Sequence, residues 1–253
     1  MQINFPIIFN VPHASTFIPR EELKFFYQKR LQHELTVMTD HYCDDLFNAG
    51  FDMVQATVSR LVCDTERFRA DADEIMSNKG MGAVYTACSD GNKLRRISEK
   101  HREDILCKYY DPYHKCLTEM VEGKLKVFNT CLIIDGHSFY PSPLPYEYDQ
   151  KTDRSDICIG TDDYHTPGWL LDYIVSSFAG KGYTVSINSP FAGTMVPIKY
   201  YGKDKRVLSV MIEINRRLYI DENINRTVDY LKLKTDIDSV VNGLLKVPEM
   251  LEK

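Results

Sequence analysis

The sequence lacks the features that mark several large classes of protein. A formal net charge of −5, from 31 basic and 36 acidic residues, leaves no basic surplus for binding nucleic acid. Its longest apolar runs, such as "VFNTCLII", fall far short of the roughly 20 residues that cross a bilayer. The first residues, "MQINFPIIFN", lack the basic and apolar regions of a signal peptide. We therefore expect a cytoplasmic protein that binds neither nucleic acid nor a membrane.

Cysteine usage excludes two further possibilities. The seven cysteines are an odd number and form no CxxC pair, which argues against a disulfide framework. For the same reason, a zinc site built from thiolates is not expected. Scattered thiols within apolar runs are typical of a reduced cytoplasmic protein.

What the sequence does contain is an alternation of strand and helix patterns. Its 253 residues, 43% of them hydrophobic, are enough for one large core, and neither a repeat nor a flexible linker divides them. We therefore expect a single domain over 1–253. Apolar runs and period-two patterns predict strands, whereas 3.6-residue periodicity predicts helices. The predicted strands cover 4–13, 51–64, 127–138, 183–193 and 207–219, and the predicted helices cover 19–50, 95–123, 162–182 and 227–251.

The order of these elements predicts an α/β fold with a largely parallel central sheet covered by helices on both faces. Two long segments, 65–92 and 139–161, are predicted to be loops, and the second is rich in proline and too long to lack a role. In such sheets, functional groups gather at the carboxyl ends of the strands. Four polar residues fall at such ends: His13, Asp64, His137 and Glu213.

Two histidines stand at the ends of apolar runs, in "IIFNVPH" and "CLIIDGH". Neutral imidazole is a common metal ligand, and zinc sites often combine two histidines with one carboxylate. Asp135 lies two residues before His137, so both side chains point to the same face of a strand. Asp135 could therefore hydrogen-bond a metal-binding histidine, or it could have a purely structural role. Either histidine alone could be a hydrogen-bonded structural residue, but the two together favour a divalent cation between His13 and His137.

A carboxylate interrupts the apolar strand "VLSVMIEIN". Carboxylates are rarely buried without a partner, and burial of Glu213 would raise its pKa toward that of a useful general base. An ion pair with Arg216 or Arg217 is the structural alternative.

Arginines that could bind an anionic substrate occur in three segments. Arg67 lies in "SRLVCDTERFR", which is either a solvated charged loop or part of a site, because guanidinium groups capture carboxylates in bidentate fashion. Arg154 lies in "TDRSDICIGT", and Arg216 follows the strand that carries Glu213. Asn188, in "NSPFAGT", is a further candidate, although turn chemistry also accounts for that segment.

Seven segments resemble, in order, motifs of the N-formylglutamate amidohydrolase family: "VPHAS", "TDHYCDDL", "SRLVCDTERF", "DGHS", "RSDICIGT", "NSPFAGT" and "EINRRLY". The resemblance spans roughly residues 10–220. That family is similar to zinc carboxypeptidases and aspartoacylases. The resemblance therefore implies a three-layer αβα sandwich around a mixed, largely parallel sheet, with one Zn²⁺ per chain.

The resemblance also implies roles for single residues. His13 and His137 match zinc-binding histidines, Glu213 matches the general base, and Arg67 matches the arginine that holds a substrate carboxylate. The carboxypeptidase-like pattern has a carboxylate ligand three residues after the first histidine, but Thr16 stands there. The third ligand must then come from elsewhere, with Glu66 as the first choice and Asp40 as the second.

These roles imply a zinc-dependent amidohydrolase, of the histidine-degradation type, that cleaves a small anionic N-acyl amino acid such as N-formylglutamate. Arg67, Arg154 and Arg216, with Asn188, would bind the substrate. Two alternatives stay open. An open cleft would favour a carboxypeptidase-like enzyme acting on peptides or cell-wall fragments, and the missing carboxylate at Thr16 would favour a non-catalytic binding protein. The sequence does not indicate an oligomeric state.

Overall fold

A mixed sheet of six strands forms the centre of the computed structural model, which describes residues 6–247. The strands lie in the order β2-β1-β3-β6-β4-β5, and all neighbours are parallel except β4, which runs antiparallel to β6. Their bounds are β1 Ile7–Val11, β2 Asp52–Gln55, β3 Cys131–Phe139, β4 Ile157–Gly160, β5 Val185–Ile187 and β6 Val207–Asn215. The expected mixed, largely parallel sheet is confirmed.

Helices cover both faces of this sheet. Their bounds are α1 Arg20–Leu23, α2 Gln28–Met38, α3 Cys43–Leu46, α4 Glu99–Ile105, α5 Asp111–Phe128, α6 Gly168–Gly180 and α7 Tyr230–Leu244. A π-helical segment, Leu106–Tyr110, joins α4 to α5. Pro112 follows it within the first turn of α5, where its missing N–H is tolerated.

The alternation of side chains along the strands explains the two covered faces. Ile8 of β1 and Ile133 of β3 pack in one cluster with Leu117 of α5, and all three are fully buried. Their neighbours Ile7 and Leu132 point the other way, into a cluster that contains apolar residues of α6 and α7. Because successive residues of a strand face opposite sides, one sheet supports two cores and three layers.

The predicted helix over 19–50 is wrong in its continuity, because it consists of three short helices. The break between α2 and α3 passes through Thr39 and Asp40 and ends at Tyr42, which has a left-handed backbone with φ 63°. This break matters for the site, since Asp40 is buried beside the carboxyl edge of the sheet rather than along a helix.

Two predictions for strands and loops are also corrected. The predicted strand over 51–64 ends at Gln55, because Leu61, Val62 and Cys63 are buried through turns in a second core cluster rather than through a sheet. The predicted loop over 139–161 contains strand β4. The start of the strand predicted over 4–13 and the end of the helix predicted over 227–251 lie outside the described residues. Among residues 6–247, no helix is both long and apolar enough to cross a membrane.

The pairing register of the strands brings polar residues together at one edge. His137 of β3 is paired with Glu213 of β6, and Asp135 of β3 is paired with Asn10 of β1. His13 lies two residues beyond the end of β1. Side chains of paired residues in a parallel sheet point to the same face, so these five groups converge on the face that α5 covers.

A glycine between Asp135 and His137 allows close packing behind this edge. A Cβ atom on Gly136 would lie 2.5 Å from Cδ2 of Phe47, nearer than a real Cβ atom approaches another heavy atom. The glycine in "DGHS" thus lets the Phe47 ring seal one face of β3 while the two polar neighbours occupy the other.

Candidate metal centre

Two buried histidines face each other at the carboxyl edge of the sheet. The Nδ1 atoms of His13 and His137 lie 3.2 Å apart, and each residue is only 2% exposed. Their rings are tilted by 53°, so the two nitrogens converge without stacking.

A carboxylate fixes the proton of His13. The Nε2 atom lies 2.8 Å from Oδ1 of Asp64, and Oδ2 of Asp64 accepts hydrogen bonds from Arg60 and the Tyr85 hydroxyl. Burial opposes ionisation of Asp64, but the charges of Arg60 and His13 hold its pKa well below its usual range. An ionised Asp64 can only accept hydrogen bonds, so Nε2 of His13 carries a proton, and Nδ1 is the nitrogen that a cation could bind.

His137 has the same arrangement with different partners. Its Nε2 atom lies 3.1 Å from Oδ1 of Asp135 and 3.0 Å from Oε1 of Glu66. The proton on Nε2 is thereby held between two carboxyl groups, and Nδ1 is directed at His13. Such partners on the far nitrogen are usual for histidines that bind metals, because they set the tautomer.

Two carboxylates lie within reach of the paired Nδ1 atoms. Oδ2 of Asp40 is 3.1 Å from Nδ1 of His137 and 3.7 Å from Nδ1 of His13, while its other oxygen accepts a hydrogen bond from Arg216. Oε2 of Glu66 is 3.8 Å from Nδ1 of His13. One ligand atom each from His13, Glu66 and His137 fall within 4.8 Å of one another.

The chemistry of this donor set fits a divalent cation. Zinc bonds of about 2.0–2.2 Å in tetrahedral geometry place neighbouring ligand atoms roughly 3.3–3.5 Å apart. The separations among the His13, His137 and Asp40 atoms, at 3.2, 3.1 and 3.7 Å, lie close to that spacing. Burial opposes the charged form of His137, but the charges of Glu66 and Asp135 hold its pKa well above the usual value, so this cluster favours a positive charge.

Glu213 stands beside this centre in the neighbouring strand. It is 8% exposed, and within the described part of the chain its buried Oε2 atom has no hydrogen-bond partner. Burial raises its pKa to about 8, with the His137 charge opposing the rise and the Asp40 and Glu66 charges adding to it. Glu213 is therefore a carboxylate with a high proton affinity and an available oxygen.

A cavity of about 310 Å³ opens over these groups. Arg60, Arg67 and Arg216 line it. Arg60 forms an ion pair with Asp64, and Arg216 forms one with Asp40. Arg67 interacts more weakly, because its buried Nε lies 3.7 Å from Asp64 and makes no hydrogen bond within residues 6–247.

The structure does not bring two of the predicted substrate-binding residues to this cavity. Arg154 is 3% exposed and pairs with Glu147, and it also donates hydrogen bonds to carbonyl oxygens of its own loop. Asn188 lies at a turn with φ 54°, where its amide bonds with the backbone and hydroxyl of Thr161. Both residues stabilise loops near the site, and neither lines the cavity.

Sequence patterns missed two residues of the cluster: Asn10 and Tyr113 belong to its hydrogen-bond network. Asp64 was expected at a strand end without an assigned role, and the structure shows that it holds Nε2 of His13. Asn10 could have been found, because it is a polar residue within an apolar strand, as Glu213 is. Tyr113 gives no such signal, since it lies on the apolar side of an amphipathic helix.

A second cavity, of about 580 Å³, lies next to the first and shares Glu66, Arg67, Ala192 and Met211 with it. Its other walls include Phe68, Ile198 and Tyr201, which are 52%, 70% and 47% exposed. Large apolar side chains are thus accessible immediately beyond the candidate metal centre.

Fold and site together define the class: a three-layer α/β protein with a histidine–carboxylate cluster of metal-binding type at the carboxyl edge of its sheet. Residues 5–220 match the family model described as N-formylglutamate amidohydrolase. The chain belongs to that family, so the resemblance noted in the sequence is confirmed.

Individual relatives agree with this assignment. An N-formylglutamate deformylase of Pseudomonas aeruginosa is 22% identical over 222 residues, which cover 86% of this chain and 83% of the relative. The crystal structure of N-formylglutamate amidohydrolase from Ralstonia eutropha JMP134 has a TM-score of 0.81 at 23% identity, covering 96% of this chain and 94% of that one. A gene product of Agrobacterium tumefaciens has a TM-score of 0.68 at 17% identity, covering 95% and 92%. These structural neighbours establish a shared fold.

Proposed function

We propose that the protein is a zinc-dependent amidohydrolase that cleaves a small anionic N-acyl amino acid such as N-formylglutamate. The observation that carries the proposal is the pair of buried Nδ1 atoms 3.2 Å apart beside Glu213, whose Oε2 atom has no hydrogen-bond partner among residues 6–247. Family membership and the name of the P. aeruginosa relative supply the substrate class.

In this proposal His13 and His137 would hold one cation, with a carboxylate from Asp40 or Glu66. When bound, zinc would supply a Lewis acid for the scissile carbonyl and would lower the pKa of a water molecule. Glu213 removes a proton from the attacking water and delivers it to the leaving nitrogen. Arg67 binds a carboxylate of the substrate and fixes the amide over the cluster.

The direct test is hydrolysis of N-formyl-L-glutamate by purified protein, followed as formate release. We expect turnover that disappears after dialysis against a chelator and returns when Zn²⁺ is added. Absence of formate release from protein that holds one cation per chain would contradict the proposed substrate. Full activity after the cation is removed would contradict the proposed mechanism.

The third ligand can be assigned with two variants. The sequence favoured Glu66, but the distances favour Asp40, because one of its oxygens is near both Nδ1 atoms. We expect Asp40→Asn to weaken cation binding more strongly than Glu66→Gln, measured by competition with a chromophoric chelator. The opposite ranking would assign the position to Glu66.

Removal of the Arg67 guanidinium should act mainly on substrate binding. Hydrogen bonds to charged groups contribute about 1.5–3 kcal/mol, so we expect Arg67→Ala to raise KM roughly 10- to 100-fold. Steady-state kinetics on N-formyl-L-glutamate measure this. Arg206→Ala, which removes an exposed guanidinium outside both cavities, serves as the control.

Substrate charge gives the complementary measurement. The wild-type enzyme should turn over the neutral diamide of N-formylglutamate poorly, whereas Arg67→Ala should discriminate less between the two compounds. Equal turnover of charged and neutral compounds by the wild-type enzyme would contradict a role for Arg67 in binding a carboxylate.

The second cavity favours one further candidate function. Its volume of about 580 Å³ and its accessible apolar walls provide room for a substrate larger than an N-formyl amino acid. A carboxypeptidase-like activity on peptides or cell-wall fragments would use that room. Comparing kcat/KM for N-formylglutamate with kcat/KM for N-acylated dipeptides distinguishes the two, and a higher value for the dipeptides would favour the peptidase.

A further inference from the structure

A chain of buried hydrogen bonds runs from helix α5 to His137. The hydroxyl of Tyr113 donates to Oδ1 of Asn10 over 2.5 Å, and Nδ2 of Asn10 donates to Oδ1 of Asp135 over 2.7 Å. The same oxygen of Asp135 lies 3.1 Å from Nε2 of His137. All four residues are buried, so water does not compete with these bonds.

The hydrogen bonds of this chain converge on the Asp135 carboxylate. Oδ2 of Asp135 accepts the backbone N–H of Met195 at 2.9 Å, and a backbone N–H can only donate. With Asn10 donating to its other oxygen, Asp135 acts as an acceptor on both sides. The Nε2 atom that faces it must then carry a proton.

The orientation of the Asn10 amide decides this pattern. An amide has one donating and one accepting end, and Asp135, which can only accept, faces the donating end. If the amide were reversed, its carbonyl oxygen would face the Asp135 carboxylate, and two acceptors would lie 2.7 Å apart in a buried site. The carboxylate therefore sets the orientation, and the Tyr113 hydroxyl, by donating to the buried Oδ1 of Asn10, holds the amide in it.

We propose that Tyr113 is a positioning residue for the candidate metal centre: its hydroxyl holds the Asn10 amide, which holds the Asp135 carboxylate against Nε2 of His137. The ring of His137 is thereby fixed with Nδ1 directed at His13. The proposal rests on the proposed function in that this nitrogen serves to bind a cation.

A similar set of hydrogen bonds surrounds His13 and supports the positioning role of Tyr113. There the Tyr85 hydroxyl donates directly to Asp64, and Asp64 holds Nε2 of His13. On the His137 side, Asn10 relays the effect of Tyr113. Each histidine thus has a tyrosine–carboxylate pair behind its far nitrogen. The relay also explains why an apolar strand, "IIFNV", contains a fully buried asparagine.

Tyr113→Phe removes the hydroxyl and leaves the ring in its core cluster. Loss of groups behind a metal-binding histidine typically costs 10- to 100-fold in metal affinity, so we expect zinc affinity to fall about tenfold. Chelator competition measures this. The matched control is Tyr230→Phe, which also removes a hydrogen bond from a buried tyrosine to a carboxylate, that of Asp45, but outside the cavity. It should leave zinc affinity unchanged.

The possible results distinguish a failure of the positioning role from a failure of the proposed function. Wild-type protein that binds no divalent cation contradicts the proposed function. Wild-type binding that Tyr113→Phe reduces by less than twofold overturns the positioning role. Thermal unfolding of both variants shows whether an effect on affinity exceeds the general effect of losing a buried hydroxyl.

A second measurement needs no variant. In zinc-loaded wild-type protein containing ¹⁵N-histidine, we expect long-range ¹H–¹⁵N spectra to show a proton on Nε2 of His137 and none on Nδ1. Any other protonation pattern of His137 overturns the proposal, even if Tyr113→Phe does not fold. In folded Tyr113→Phe, the Nε2 proton should exchange faster with solvent.

Discussion

Glu213→Gln should lower kcat by about 10²–10⁴-fold, because general acid–base catalysis typically contributes that much and glutamine cannot accept a proton. The change keeps the shape of the side chain and a hydrogen-bonding carbonyl. Cation content should be unchanged, since Glu213 is proposed to contact the attacking water rather than the cation. Kinetics and metal analysis on the same preparation test both parts.

The pH profile gives a second test of Glu213. Burial raises the pKa of this carboxyl to about 8, and a cation bound nearby lowers it again by favouring the charged form. Below its pKa the group is protonated and cannot act as a base, so the wild-type rate should fall on the acidic side and this limb should be absent in Glu213→Gln. Glu34→Gln alters another buried glutamate, one bound to Ser89, and should leave kcat and the limb intact. A Glu213→Gln enzyme with zinc and wild-type kcat would place the base elsewhere.

Removing either histidine should abolish both cation binding and activity. Each contributes one of the two converging Nδ1 atoms, and a single imidazole with one carboxylate binds zinc too weakly to survive dialysis. We expect metal analysis of His13→Ala and His137→Ala to find no bound zinc, with turnover at background.

The control for these variants is His165→Ala, which alters a fully buried histidine bound to the carbonyl of Val207, away from the cluster. It should lower the unfolding temperature without lowering cation content in the protein that remains folded. Full zinc occupancy in both His13→Ala and His137→Ala would contradict the metal centre.

The parts of the fold that the sequence predicted correctly are those with a long, strong pattern. Strands β3 and β6 each have nine residues and begin with apolar runs, and α5 and α7 have clear helical periodicity. Only the bounds differ: the first two residues of the strand predicted over 127–138 belong to the end of α5. Strand β4 was missed because its four residues, "ICIG", lie within a long Pro-rich segment. The strand expected over 51–64 was too long because burial in turns produces apolar patterns that resemble strands.

For the candidate site, too, the clearest patterns gave the positions that the structure brings together. His13, His137 and Glu213 were singled out from the sequence because each interrupts or ends an apolar run, and the structure places them side by side. The position of Asp40 could not be foreseen, because it depends on a break between two helices that only packing produces. Arg154 and Asn188 are near the site along the chain, but the sequence does not show that a neighbouring glutamate and a turn already bind their polar atoms.

The single reversed strand has a consequence for how the cavity can change. Strand β3 ends at the edge that holds the cluster, and because β4 runs antiparallel to β6, β4 begins at that same edge. The chain over 140–156 therefore leaves and re-enters the sheet on one side and contributes Tyr140, Tyr146 and Tyr148 to the cavity wall. A parallel β4 would have required this segment to cross to the opposite edge. Because both ends of 140–156 lie at this edge, this wall of the cavity is formed by a segment outside the strand pairing, and a change in its conformation can reshape the cavity while the strand register stays the same.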